Sequence, residues 1–167
     1  MKRLSLYIVL LLALVCQSCG FYSFTGASIP PEAKTVSVQY FPNQAPLINP
    51  ALSNDFTTAL RDAMMNQTSL DMVDSGGDLA FEGEIVDYRT TPVAITAGQT
   101  AALNRLTITV NVRFVNVFDE TKGFETKFSH YEDYPSDQEL SSVQESLTAT
   151  IVEQLVEDIF NKALVNW

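Results

Sequence analysis

The sequence predicts an α+β domain, a two-layer sandwich in which a four-stranded sheet carries two helices on one face in the order β-α-β-β-β-α. Three observations lead there. Four segments alternate apolar and polar residues with a period of two, and two others repeat apolar residues every three or four positions. The helical stripes and the alternating strand faces bury one another most simply when both helices share one side of the sheet. Of 167 residues, 46% are hydrophobic and 18% charged, a globular balance that excludes a disordered, collagen-like or polytopic membrane chain and suits one domain.

Lys34 to Phe41 is the first strand. Val36, Val38 and Tyr40 lie on one side, Thr35, Ser37 and Gln39 on the other, and Pro42 ends the run. Asn49-Pro50 then places an N-cap before a proline suited to the first helical position, and Leu52, Phe56, Leu60, Ala63 and Met64 recur at helical spacing over residues 50–68. After the turn Ser75-Gly76-Gly77-Asp78, the strand from Leu79 to Tyr88 points Leu79, Phe81, Gly83 and Ile85 one way and Glu82 and Glu84 the other. The clearest strand is Leu106 to Phe118, where Leu106, Ile108, Val110, Val112, Phe114 and Phe118 share one parity against Thr107, Thr109, Asn111 and Arg113. Asp119-Glu120-Thr121-Lys122-Gly123 turns the chain into the strand Phe124 to Asp133. Keeping Phe124 and Phe128 on the face of Phe114 and Phe118 calls for an odd loop, a hairpin of about three or five residues. Two overlapping capping boxes, Ser141 with Gln144 and Ser142 with Glu145, start the second helix, whose stripe of Leu147, Ile151, Val152, Leu155, Ile159, Phe160 and Ala163 reaches nearly to Trp167.

Residues 1–18 read as a leader. Met1-Lys2-Arg3 is basic and Leu6 to Cys16 is apolar apart from Tyr7. At about 1.5 Å per residue this run covers roughly half of a ~30 Å bilayer core, which makes it a secretion signal rather than a spanning helix. Ser18-Cys19-Gly20 resembles the end of a bacterial lipobox, so Cys19 becomes the lipidated first residue. Cys16 and Cys19 as a redox or metal pair would need a βαβ context or further ligands, and neither is present. Removing residues 1–18 leaves 149 residues, 167 minus 18, with 8 basic against 20 acidic side chains, or -12, and no intrachain disulfide. Its acyl chains would hold this acidic domain on a membrane that its charge would not seek. Residues 19–33 form the lipidated tether, in which Phe21, Tyr22 and Phe24 either rest at the membrane interface or begin an edge strand, and 34–167 form the single domain.

The net charge of -10 for the full chain argues against a nucleic-acid partner. Enzymatic signatures are lacking. The one histidine, His130, stands beside Tyr131, Glu132 and Asp133, but no Gly-x-Ser-x-Gly turn, phosphate-cradling loop or set of metal ligands accompanies it. Asp71, Asp74 and Asp78 lack calcium-loop spacing, and Glu82 with Glu84 is explained by solvation of a strand face. No cofactor or metal is expected. Arg89 to Arg105 reads as a long connection containing Pro92, Gly98, Thr90, Thr91 and Thr96, either disordered or built to insert into a partner. Arg89 and Arg105 at its ends, Arg113 on the wet face, and Lys122 and Lys127 in and after the hairpin are candidate contacts for an anionic ligand or partner, or else ordinary surface charges.

Taken together, the mature chain resembles the LptE family of outer-membrane lipopolysaccharide-assembly lipoproteins, in its Bacteroidetes form. Ser18-Cys19-Gly20-Phe21-Tyr22-Ser23-Phe24, Val38-Gln39-Tyr40-Phe41-Pro42-Asn43, Phe81-Glu82-Gly83-Glu84-Ile85, Asn104-Arg105-Leu106-Thr107-Ile108-Thr109-Val110 and Leu155 to Trp167 carry the likeness through their joint order. The resemblance implies a non-enzymatic protein on the periplasmic side of the outer membrane. It would be seated partly within an LptD-like outer-membrane β-barrel and help lipopolysaccharide, which it contacts directly or only through the barrel, to reach the outer leaflet. The alternative from the residues alone is a free-standing periplasmic lipoprotein that binds a small ligand or peptide on its open sheet face.

Overall fold

The computed structural model describes residues 29–47, 49–93 and 102–165. The expectations for the leader, for Cys19 and for Trp167 lie outside these residues. Along the chain come β1 (Thr35–Val38), α1 (Leu52–Gln67), β2 (Asp71–Val73), β3 (Leu79–Val93), β4 (Leu103–Asn116), a 3-10 turn (Glu120–Lys122), β5 (Phe124–Pro135) and α2 (Leu140–Leu164). The fold is α+β with a mixed sheet in the order β2-β1-β3-β4-β5. β1 runs parallel to β2 and β3, whereas β3, β4 and β5 are antiparallel neighbours. A parallel pair cannot be closed by a tight turn, and α1 supplies the crossover from β1 to β2.

The sheet has five strands where four were expected. The addition, β2, is three residues long, Asp-Met-Val, too short to display alternation. Pairing alone makes it a strand: Thr35, Val36 and Ser37 lie in register with Asp71, Met72 and Val73, and Asp71 N donates to Lys34 O at 2.8 Å.

The β1–β3 corner is held by Asp78. Its Oδ2 accepts from Lys34 N (2.8 Å), Thr35 N (3.0 Å) and Thr35 Oγ1 (2.9 Å), while Asp78 N donates back to Thr35 Oγ1 at 2.9 Å. The Lys34 amide, followed by the Thr35 hydroxyl and amide, holds the carboxyl below its usual range. A depressed folded-state pKa contributes stability that is complete above the unfolded value of about 3.9 and is lost as pH falls through the lower folded value. Asp78→Asn is therefore expected to lower the Tm at neutral pH, and the Tm curves of variant and parent to converge in acid. Thermal melts across pH 2 to 7 check this; a constant gap between the curves would count against it.

Neighbouring contacts extend the core. Phe41 packs edge-on against Phe56 at 5.0 Å, and the Phe81 and Phe114 rings lie tilted against each other at 4.8 Å. Both Arg61 Nε (3.1 Å) and its terminal nitrogen (2.8 Å) donate to Val38 O, tying α1 to the end of β1. α1 packs on β1, β2 and α2, and α2 packs also on β4 and β5.

Several local expectations change. β4 ends at Asn116, because the Asn116 side chain accepts from Phe118 N (3.0 Å) and Asp119 N (3.1 Å); Phe118 leaves the strand and is exposed. The connection is residues 117–123, longer than a three- or five-residue hairpin but still odd, so Phe114 pairs with Phe124 as the parity requires. α2 begins at Leu140 without a side-chain cap, and Ser142 Oγ instead donates to Glu139 O at 2.8 Å, so neither capping box forms. Asn49 Oδ1 accepts from Ala51 N at 3.1 Å, but α1 starts at Leu52 with Ala51 at its N-cap and no side-chain cap, so Asn49-Pro50 precedes the helix and does not cap it. The connection expected over Arg89 to Arg105 is shorter, since β3 continues to Val93 and β4 starts at Leu103. Residues 94–101 of that connection lie outside the described set.

Candidate interaction surface

Strand register decides which side chains share the open face. In β4, Leu106, Ile108, Val110, Val112, Phe114 and Asn116 are buried, and the opposite parity meets solvent apart from the buried Thr107. The partners of that second set form rows across β3, β4 and β5: Glu82–Arg113–Glu125, Glu84–Asn111–Lys127, Asp87–Thr109–Ser129, Arg89–Thr107–Tyr131 and Thr91–Arg105–Asp133.

A β-bulge makes this set possible. Ile85 pairs with Val110 and Asp87 with Thr109, leaving Val86 as an extra residue. Beyond it the parity of β3 inverts, so Tyr88 enters the core while Asp87, Arg89 and Thr91 join Glu82 and Glu84 on the open side. Burial pushes the Tyr88 phenol above its ordinary pKa.

Gly83 supports the same surface from behind. A Cβ there would lie 2.0 Å from Asn111 O and 2.6 Å from a Phe41 ring carbon, so only glycine lets β3 and β4 approach with Phe41 packed against them.

Four of the five expected basic residues, Arg89, Arg105, Arg113 and Lys127, therefore lie on one face. Lys122 does not; it sits in the 3-10 turn, which Asp119 caps by accepting from Thr121 N at 3.1 Å. Three of the four cations, the arginines, are paired. Arg105 makes two parallel bonds to Asp133, 2.7 and 2.9 Å, and its guanidinium lies 3.6 Å over the Tyr131 ring. That hydrogen bonding raises the Arg105 pKa and holds Asp133 below the usual carboxylate range. Arg113 is 3.6 Å from Glu82, whose other oxygen accepts from Gln39 Nε2 at 3.1 Å, and Arg89 pairs with Asp87. Across the rows four cations meet five carboxylates, Glu82, Glu84, Asp87, Glu125 and Asp133, for a net -1. An anion approaching any of the three guanidinium groups must displace a carboxylate from it. The face is a zwitterionic lattice with one exposed aromatic, Tyr131.

Sequence reading missed Asp87 as a member because nothing in Ile85-Val86-Asp87 announces a bulge. Asp133 was legible only as one of two adjacent carboxylates, and the pleat separates them. Asp133 meets Arg105 on the open face, whereas Glu132 points to the other side, where Gln154 Nε2 of α2 lies 3.5 Å from it.

His130 shares the parity of Glu132. Its Nε2 lies 2.6 Å from Asp158 Oδ2, joining β5 to α2. The side chains of this pair are 31% and 53% exposed. A half-exposed pair is worth at most about 1 kcal/mol. His130→Ala is expected to lower stability by no more than that and to leave function in the cell intact; growth and surface assembly in a strain carrying only this variant check it.

A family model described as LptE, lipopolysaccharide-assembly, matches residues 33–163. Among solved structures the chain is similar to a minor lipoprotein from Acinetobacter baumannii, with 13% identity, 78% of this chain and 91% of that one covered, and a TM-score of 0.51. A neuraminyllactose-binding hemagglutinin homolog from Helicobacter pylori gives 8% identity, coverage of 85% and 89%, and a TM-score of 0.52. A hypothetical protein from Chlamydia trachomatis gives 10%, 80% and 100%, and 0.50. At such identities the likeness is one of fold. No curated protein matches by sequence.

Proposed function

We propose a function from one premise: the chain belongs to the LptE family of lipopolysaccharide-assembly proteins. On this reading it is a non-enzymatic lipoprotein, held by acyl chains on Cys19 at the periplasmic side of the outer membrane. There it partners an LptD-type β-barrel that delivers lipopolysaccharide to the outer leaflet. The observation that carries the reading is the family match across residues 33–163, nearly the whole domain.

The open face is the proposed contact surface, with Arg89, Arg105, Arg113 and Lys127 on its strands and Lys122 at the turn below. Barrel lumens are polar, and charges already paired within one protein enter such a space at lower desolvation cost than unpaired ones. Tyr131 adds an amphipathic ring of the kind that anchors interfaces. On this reading both helices lie behind this surface, on the other side of the sheet, which their packing on each other and on the strands supports.

Purification of the tagged, full-length lipoprotein in detergent tests the proposal. A large outer-membrane barrel is expected to copurify, and depletion of the protein to reduce surface lipopolysaccharide. Recovery of the lipoprotein alone, with surface lipopolysaccharide unchanged on depletion, would favour the free-standing binding protein.

A further inference from the structure

We propose that the groove between α1 and α2 docks a basic, amphipathic polypeptide segment of a partner. The groove has a volume of about 700 Å³. Ala59 and Ala63 of α1 and Ala149, Val152, Val156 and Phe160 of α2 give it an apolar lining. Its three alanines leave room for larger side chains to enter.

The charge around this lining has one sign. Asp55, Glu145, Glu153 and Glu157 border it, and no Lys or Arg does among the described residues. Each helix carries one cation, and both are engaged elsewhere. Arg61 is bound to Val38 O, and Lys162 lies 5.1 Å over the Phe124 ring. Glu153 and Glu157 stand four apart on α2, a like-charge spacing that disfavours the isolated helix and that a neighbouring cation would reverse.

Anionic lipid headgroups would be repelled. A segment with apolar residues along one face and Lys or Arg beside them complements floor and rim together.

The inference goes beyond the barrel-partner reading, and the two fail separately. A photo-reactive benzoylphenylalanine is introduced at Ala149 and, in a second chain, at Ser129 on the open face. The full lipoprotein is then cross-linked in its own cells and the joined peptides are sequenced by mass spectrometry. The Ala149 probe is expected to join one partner segment bearing Lys or Arg. Combining Glu153→Lys with Glu157→Lys is expected to lower that yield about tenfold while leaving the Ser129 cross-links and the Tm unchanged. Should the reversed chain melt early, Glu153→Gln with Glu157→Gln replaces it, with a smaller loss expected. No cross-link from Ala149, cross-links only to lipid or to residues 1–28 of the chain itself, a joined segment without Lys or Arg, or an undiminished yield after charge change overturns the proposal. Absence of a barrel from the Ser129 cross-links counts instead against the reading of the open face.

Discussion

Gly83→Ala is expected to destabilise the domain by about 3 kcal/mol or more, the upper end of what an inserted methyl costs in a packed interior. The added Cβ would lie 2.0 Å from Asn111 O, and that oxygen belongs to the backbone of β4, which cannot rotate away as a side chain can. On its other side Phe41, itself fully buried and packed on Phe56, blocks retreat toward the core. Relief requires β3 and β4 to part, which disturbs the pairing on which the open face is built. With domains stable by only about 5–15 kcal/mol, a Tm lower by on the order of 10 °C is expected. Thermal and urea melts measure it, and a melting curve equal to the parent's would show that the close approach is not real. The sheet-bound effect is distinct from that of Gly76, whose added Cβ would meet open space despite its φ of +67°.

Cys19→Ala carries the largest expected effect on location. The proposed attachment places two or three acyl chains at the mature N-terminus, each contributing about 0.8 kcal/mol per buried CH₂, which amounts to permanent anchoring. Loss of the thiol removes the proposed attachment site; the domain is acidic, and none of its described helices is long and apolar enough to cross a membrane. The variant is expected to disappear from the outer-membrane fraction and to lose lipopolysaccharide delivery at native expression. Fractionation with immunoblotting follows the first and surface labelling of lipopolysaccharide the second. A soluble product with full activity would refute the membrane role.

Legibility followed the range of the interactions involved. The amphipathic stripes of α1 and α2 and the alternation of β4 were readable because each residue's environment depends on neighbours within a turn or a pleat. The same local signals failed at element ends. Asn116 ends β4 by bonding to backbone amides two and three residues on, a choice that its neighbours alone do not announce. Ser141 and Ser142 have the right spacing for capping boxes, yet α2 starts at Leu140 and they go unused. Among the candidate surface residues, basic side chains could be found by type. Their partners could not, because Arg105 meets Asp133 across a register of two strands, 28 positions apart.

By itself the sequence determined the α+β class, the order of helices and longer strands, the acidic balance and the family to which the order of its segments pointed. Those properties are sums over local pattern or composition. The tertiary structure alone decided the fifth strand, the bulge at Val86 and the pairing of the three open-face arginines with carboxylates. All three depend on which backbone lies beside which: β2 exists only because β1 offers it hydrogen bonds, and one extra residue in β3 inverts every side chain after it.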